Sequence, residues 1–220
     1  MNKIFNYGLI GYSGRLGSEV KNLFNEKGHQ LVFTSDLDGE KETGKAQVVI
    51  DCSMPEAFEN SIKIVKRLNA PLIIAVTGLS ESQMETLKKL ADKIPVVQSF
   101  NFSIGIQILL KLTETASKLL DGWDVEITET HHRMKKDKPS GTAKMIKELF
   151  SDKNVNVSSL RIGGVPGDHS VIFGGMGETL EITHHAISRR TFAEGILKSA
   201  EFILKKENGF YSFKDVVFSN

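Results

Sequence analysis

The sequence predicts an α/β chain in two parts: a doubly wound parallel sheet, then an α+β domain with a mixed, largely open sheet. Three observations predict it. The first hundred residues alternate short apolar runs with amphipathic helical segments, as βαβ units do. A glycine-rich turn at residues 11–17 joins the first run to the first helix. After Asn101, strand-like runs follow one another without helices between them, which calls for an antiparallel or mixed sheet.

Residues 5–10 are a short apolar run ending in glycine. Leu16, Val20, Leu23 and Phe24 fall on one helical face, and Gly28 is a C-terminal stop. Strands are expected at 31–34 and 48–50. Ser53 and Glu56 have the spacing of a capping box before a helix carrying Phe58, Ile62, Val65 and Leu68. Residues 72–76 form a continuous apolar run suited to a strand covered on both faces. Ser80 and Gln83 repeat the capping spacing ahead of Met84, Leu87 and Leu90, and residues 95–98 supply one more strand.

In the second part, Ile108, Leu109, Leu112, Ala116 and Leu119 mark a helix, and 125–130 a strand. A lysine-rich loop and a short helix with Met145, Ile146, Leu149 and Phe150 follow. Strands are expected at 160–165, 170–173 and 179–184, and a final helix carries Phe192, Ile196, Ala200, Ile203 and Leu204. Domain edges fall at 1–101 with 189–220, and at 102–188. The edge near Asn101 has no flexible linker, which predicts a hinge over 101–105.

The 220 residues carry a net charge of +1, with 40% hydrophobic and 25% charged residues. That balance gives no global reason to expect nucleic acid or an anionic membrane, so any basic site must be local. The single cysteine, Cys52, rules out an intramolecular disulfide. The first residues lack a signal-peptide cleavage pattern, and no run approaches the ~18 apolar residues of a membrane span. A cytoplasmic protein is expected.

The turn Gly11-Tyr-Ser-Gly14-Arg-Leu-Gly17 has the context of a dinucleotide site. Glycines let the backbone approach a pyrophosphate, and the helix N-terminus presents amides to it. Asp36 closes the second strand, where a carboxylate accepts ribose hydroxyls. The first part is therefore Rossmann-like. The spacing is GxxGxxG rather than GxGxxG, and the bland alternative is a structural turn followed by a solvated aspartate.

The segment Glu129-Thr-His-His-Arg-Met-Lys-Lys-Asp-Lys-Pro-Ser-Gly-Thr142 crowds two imidazoles, a guanidinium and three ammonium groups just past a strand end. A solvated basic loop is the bland reading. Against it, His131 and His132 are adjacent at a strand end and point in different directions, so they can hold separate roles. Gly141 and Thr142 open a helix whose first amides suit a carboxylate. Clustered cations in a nearly neutral chain imply a local anion, and together these features describe a receptor for a small dicarboxylate. Metal binding is disfavoured, because there is no HxxxH or CxxC spacing. Cys52 is expected to be buried at a strand end rather than nucleophilic.

The stretch HHRMKKDKPSGTA resembles the signature of the dihydrodipicolinate reductase family, E-x-H-H-x-x-K-x-D-x-P-S-G-T-A. GYSGRLG resembles that family's cofactor turn, NFSIG its hinge, and GETLEITHHAISR its last substrate-domain strand. The resemblance implies NADH or NADPH in the first part and a cyclic imine dicarboxylate in the second. It implies His131 as acid/base, Lys135 as proton donor, and His132, Gly141 and Thr142 as substrate ligands. Cofactor contacts are implied at Gly11, Tyr12, Ser13, Gly14, Arg15, Leu16 and Asp36. A second set lies after later strands, at Thr77, Ser99, Phe100, Asn101 and Phe102. It also implies a homotetramer joined through the substrate-domain sheet.

Two departures stand out. Ala75-Val76-Thr77-Gly78 replaces the family's frequent Gly-Thr-Thr-Gly, so only Thr77 is carried over there, and the stretch between Asp36 and Val48 is short. Two rival readings keep the glycine turn: an amino-acid dehydrogenase of similar fold, and a non-enzymatic nucleotide sensor. The dehydrogenase has less need for amides and cations aimed at two carboxylates, and the sensor need not place a histidine and a lysine four residues apart opposite an anion cradle.

Overall fold

The computed structural model describes residues 3–150 and 155–219. Two compact units are present: Met1–Phe102 with Phe192–Asn220, and Ser103–Thr191.

The first unit is built on strands β1 (Asn6–Ile10), β2 (Gln30–Asp36), β3 (Gly39–Glu42), β4 (Val48–Asp51), β5 (Leu72–Ile74), β6 (Pro95–Gln98) and β11 (Gly209–Ser212). They form one sheet in the order β11-β6-β5-β4-β1-β2-β3. Every neighbouring pair is parallel except β2 with β3. Because alternate strand residues face opposite ways, the sheet has a core on each side. Tyr7, Leu9, Val48 and Ile50 meet helices α1 (Arg15–Glu26), α6 (Arg190–Ile203) and α7 (Phe213–Phe218). Ile10, Val49, Leu72 and Ile74 meet α2 (Phe58–Leu68) and α3 (Glu81–Ala91). Burial on both faces explains why residues 48–50, 72–74 and 95–97 of β4, β5 and β6 are unbroken apolar runs rather than alternating ones.

Several expectations hold in detail. Gly28, at φ +84°, follows the last turn of α1 in the left-handed region that a glycine enters cheaply. Ser80 and Gln83 make the full reciprocal capping box of α3. The expected box at Ser53 does not form. A 3₁₀ turn, Pro55–Ala57, starts instead from Met54, and the Ser53 hydroxyl donates to Asp51 Oδ1 at 2.6 Å.

Three elements carried little signal. Strand β3 is four exposed polar residues, GEKE, held by its ladder to β2 and by Arg67, which binds Glu40 (2.5 Å) and Glu42 (2.8 Å). Strand β11 and helix α7 follow the final helix that the sequence predicts, beyond which no further element is expected. Their cue was a capping box, Ser212 with Asp215.

In the second unit, β7 (Asp124–His131), β8 (Asn156–Arg161), β9 (Asp168–Gly174) and β10 (Thr179–His185) form a four-stranded sheet in the order β10-β9-β7-β8. The β7–β8 pair is parallel and the other two pairs are antiparallel, so the sheet is mixed and open. Helices α4 (Ile104–Leu119) and α5 (Gly141–Lys147) bury Leu109, Ala143 and Ile146 against Ile127, Val171 and Phe173 on one face. Strand β8 sits four residues earlier than the apolar run at 160–165 suggests. Its sequence, NVSSLR, has only Val157 and Leu160 as apolar residues, three apart and so out of strand alternation, and residue 163 is a glycine at φ +50° that turns the chain.

Candidate active site

In the first unit the parallel strands all end on one edge, so the turns after β1, β4, β5 and β6 lie together there. This is where open α/β sheets bind ligands. Gly11 has φ +72°, and its amide donates to Ser35 O at 2.8 Å. A Cβ on Gly11 would come within 2.8 Å of the Ser53 amide nitrogen, and one on Gly17 within 2.1 Å of Gly11 O. Both positions exclude side chains for lack of room. Gly14 is the N-cap of α1, and Arg15 and Leu16 open the helix, with Leu16 turned against the core. Asp36, at the end of β2, accepts from the Ser13 amide (2.9 Å) and hydroxyl (2.7 Å) through Oδ2, and from the Leu37 amide through Oδ1 (2.9 Å). Partial burial pushes its carboxyl up, but these bonds outweigh that and hold it below the usual range. A second carboxylate stands nearby: Tyr12 donates to Asp38 at 2.5 Å.

Thr77 is exposed just after β5, beside Gly78 at φ +79°. Ser99 Oγ donates to Asn101 O (2.7 Å) and accepts from the Asn101 amide (3.1 Å), which shapes the bend after β6. Phe100 is exposed. Phe102 is buried with its ring 5.1 Å from that of Phe213, so any ligand contact it makes comes from its backbone. These residues frame one strand-end edge with two obligatory glycines and a fixed carboxylate, which fits a dinucleotide. Cys52 is half-buried just past β4, and burial pushes its thiol well above the usual range.

In the second unit His131 is the last residue of β7 and is buried, whereas His132, just past the strand, is half-buried. Glu129, two residues earlier on the same face, is fully buried. Its carboxylate takes both Arg161 guanidinium nitrogens (2.7 and 2.8 Å), the Ser140 amide (3.2 Å) and His131 Nδ1. Burial alone would raise this carboxyl; hydrogen bonds from Arg161, Ser159 and His131 overcome it and hold the group down to about 2. Burial depresses His131, partly countered by Glu129, with Lys135 and Arg161 adding to the depression. His169, inward-facing on β9, lies edge-on to His131 with ring centroids 5.1 Å apart and shares a 3.2 Å hydrogen bond with Ser140 Oγ. Burial lowers it to about 3.

Lys135 closes a turn in which its amide donates to His132 O, and its ammonium pairs with Asp137 Oδ1 at 2.8 Å. Ser140 caps α5 by accepting from the Ala143 amide (3.2 Å), placing Gly141 and the buried Thr142 in the first turn of the helix. Thus His131 bonds directly to one buried carboxylate, and Arg161 and Asp137 connect that carboxylate to Lys135. Sequence reasoning assigned no role to Glu129, Ser140, Arg161, Gly167 or His169. The alternating burial of β9 was the available sign for His169.

Among the described residues no group of three or more His, Cys, Asp or Glu side chains could hold a metal ion, and no helix is long and apolar enough to cross a membrane. Residues 5–102 match the family described as dihydrodipicolinate reductase, N-terminus, and residues 105–217 match dihydrodipicolinate reductase, C-terminus. A 4-hydroxy-tetrahydrodipicolinate reductase of Thermosipho africanus is 46% identical over 211 residues, covering 96% of this chain and 97% of the relative. One from Caldanaerobacter subterraneus is 38% identical, covering 83% of this chain and 80% of the relative. Among solved structures, a dipicolinate-bound dihydrodipicolinate reductase from Paenisporosarcina has the same fold, with a TM-score of 0.74 at 21% identity over 96% of this chain and 98% of its own. The chain belongs to the dihydrodipicolinate reductase family.

Proposed function

We propose that this chain reduces 4-hydroxy-tetrahydrodipicolinate, by way of dihydrodipicolinate, to tetrahydrodipicolinate in the diaminopimelate route to lysine. The observation that carries the reading is the buried Glu129–His131 pair with Lys135 four residues on, in a chain 46% identical to a reductase of that name. The first unit is the dinucleotide-binding domain, and the second holds the substrate.

When bound, the reduced nicotinamide supplies the hydride. Lys135 gives the proton taken up on the substrate's other side, and His131, neutral near pH 7, relays protons as acid/base. His132 and the first turn of α5, at Gly141 and Thr142, bind the substrate carboxylates. Gly11 and Gly14 allow the close pyrophosphate approach. Tyr12, Ser13, Arg15 and Leu16 line that turn, and Thr77, Ser99, Phe100, Asn101 and Phe102 lie along the same strand-end edge.

Asp36 accepts the adenosine ribose hydroxyls and Asp38 adds a second negative charge close by, so NADH is favoured. Lys41 and Lys45, both exposed, are the available partners for a 2′-phosphate and allow NADPH as well. The exposed Leu160, on the face of the second unit's sheet away from its helices, is surface that a homotetramer would bury. The protein is cytoplasmic, with neither nucleic acid nor membrane as partner.

The test is a coupled assay that supplies freshly made synthase product and follows NADH absorbance. Cofactor oxidation dependent on that product is expected. None with either cofactor, from folded protein, overturns the assignment.

A further inference from the structure

We propose that Glu129, clamped by Arg161, is the positioning residue for His131, fixing the imidazole with its proton on Nδ1 and its lone pair on Nε2. The inference rests on the reading of His131 as acid/base. It also makes Arg161 the tie between that histidine and the lysine-bearing loop.

The geometry starts from strand register. Glu129 and His131 share a face of β7, and parallel β8 places Arg161 opposite His131. A carboxylate this deeply buried is costly unless it is paired and hydrogen-bonded. Here its acceptor sites are filled by two guanidinium nitrogens, the Ser140 amide and Nδ1 of His131. An ionised carboxylate can only accept, so the Nδ1 contact requires the histidine's proton at that nitrogen.

Nε2 is then the nitrogen left to exchange a proton. The residue beside it is Gly167, where a Cβ would stand 2.9 Å from Nε2, so a glycine is what keeps that nitrogen uncovered. Arg161 reaches further: it also donates to Asp137 O at 2.7 Å, and Asp137 Oδ1 holds Lys135 Nζ at 2.8 Å. One connected frame therefore runs from His131 through Glu129 and Arg161 to Lys135. The titratable groups around His131 are Glu129 from its own strand, Arg161 from β8, His169 from β9, and Lys135 and Asp137 from the loop. Glu129 and Asp137 are the anions among them, and Glu129 is the one bonded to the ring.

The test is Glu129→Gln in the full-length enzyme, labelled with ¹⁵N-histidine, with ring-nitrogen shifts and steady-state kinetics read on one preparation. A glutamine can turn its amide N–H toward Nδ1 and so favour the other tautomer. In the parent, His131 should carry its proton on Nδ1. In the variant the Nε2–H form should appear, kcat should fall by about 10²–10⁴ with little change in KM, and the His131 limb of the pH profile should move down. The double variant Glu129→Gln, Arg161→Met removes the stranded cation and should show the same tautomer change if the single variant folds poorly. An unchanged His131 tautomer in either folded variant overturns the inference. A changed tautomer with native turnover overturns it too, and His131→Ala then locates the fault. Native turnover in that variant removes the histidine from the chemistry, whereas lost turnover leaves it there and removes Glu129's role.

Discussion

The glycine turn of the first unit and the buried network of the second are built by opposite means. At residues 11–17 the function comes from missing side chains: Gly11 and Gly17 stand where a single methyl would strike backbone within 2.8 and 2.1 Å. The carboxylate that closes β2 there, Asp36, is only partly buried and bonds to local amides and a hydroxyl. Around Glu129 the function comes from charge taken out of water, with four donors converging on one carboxylate. The turn should therefore tolerate changes of charge but not of volume, and the network should tolerate neither.

The largest effects should follow from striking the network's proton-handling groups. His131→Ala or Lys135→Ala should lower turnover by about 10²–10⁴, the range for a positioned acid or base, with dinucleotide affinity nearly unchanged. Gly167→Ala changes no charge, yet its methyl would press on His131 Nε2 from 2.9 Å, so it should lower turnover comparably. Steady-state kinetics with cofactor titration reads both. Native turnover in Gly167→Ala would break the contrast, because volume would then be tolerated at the network.

The same contrast explains what the sequence made legible. The turn and its helix are contiguous, and Asp36 lies one strand away, so that site could be read along the chain. The network draws on β7, β8, β9 and a loop: Arg161 is 32 residues from Glu129, and His169 is 29 from Ser140. Only pairing register brings them together, and β8's polar pattern hid the strand that carries Arg161. The basic loop itself was readable because its charges are adjacent. The carboxylate that organises them was visible in the motif but had no role until its partners were placed. Likewise, β3 was missed because four exposed polar residues offer no alternation to detect.

Acid should expose the network next. His169 has a folded value of about 3 against an unfolded ~6.5, so the unfolded chain takes up that proton first as pH falls. Its contribution is intact above about pH 6.5 and is lost progressively toward pH 3. Glu129, at about 2 when folded, adds a second loss below its unfolded value of ~4.3, of order 3 kcal/mol in all. Urea unfolding midpoints should thus decline from about pH 6.5 and more steeply below about pH 4.5. His169→Gln should flatten the upper limb and leave the lower one. A variant with the parent's slope between pH 6 and 5 would remove His169 from the account.

A middle-sized effect is expected where the network meets its ligand. Thr142 is buried in the first turn of α5, and Thr142→Val keeps the volume while deleting the hydroxyl. A charge-assisted bond to a substrate carboxylate is worth about 1.5–3 kcal/mol, or roughly ten- to a hundredfold in affinity. Calorimetry with dipicolinate, a planar dicarboxylate, measures it. Equal affinity in parent and variant would place the carboxylate elsewhere.

The smallest effect should come from changing charge at the turn, and it sharpens the comparison most. Asp36 accepts three local hydrogen bonds, two of which come from Ser13. Replacing it with serine keeps a small polar group and disturbs none of the glycine contacts, so folding and dinucleotide binding should survive. What changes is the repulsion felt by a 2′-phosphate, and Asp38, held by Tyr12, preserves part of that repulsion. The parent should favour NADH by about tenfold or less, near 1.4 kcal/mol, because surface charges are screened and Lys41 and Lys45 can answer the phosphate. Asp36→Ser should move the ratio of specificity constants toward NADPH by no more than that amount, and Asp36→Ser with Asp38→Asn should move it further. A parent that strongly prefers NADPH would show that the lysines govern the choice. A hundredfold swing from the single variant would show that charge matters at the turn as much as volume, and the contrast between the two regions would fail.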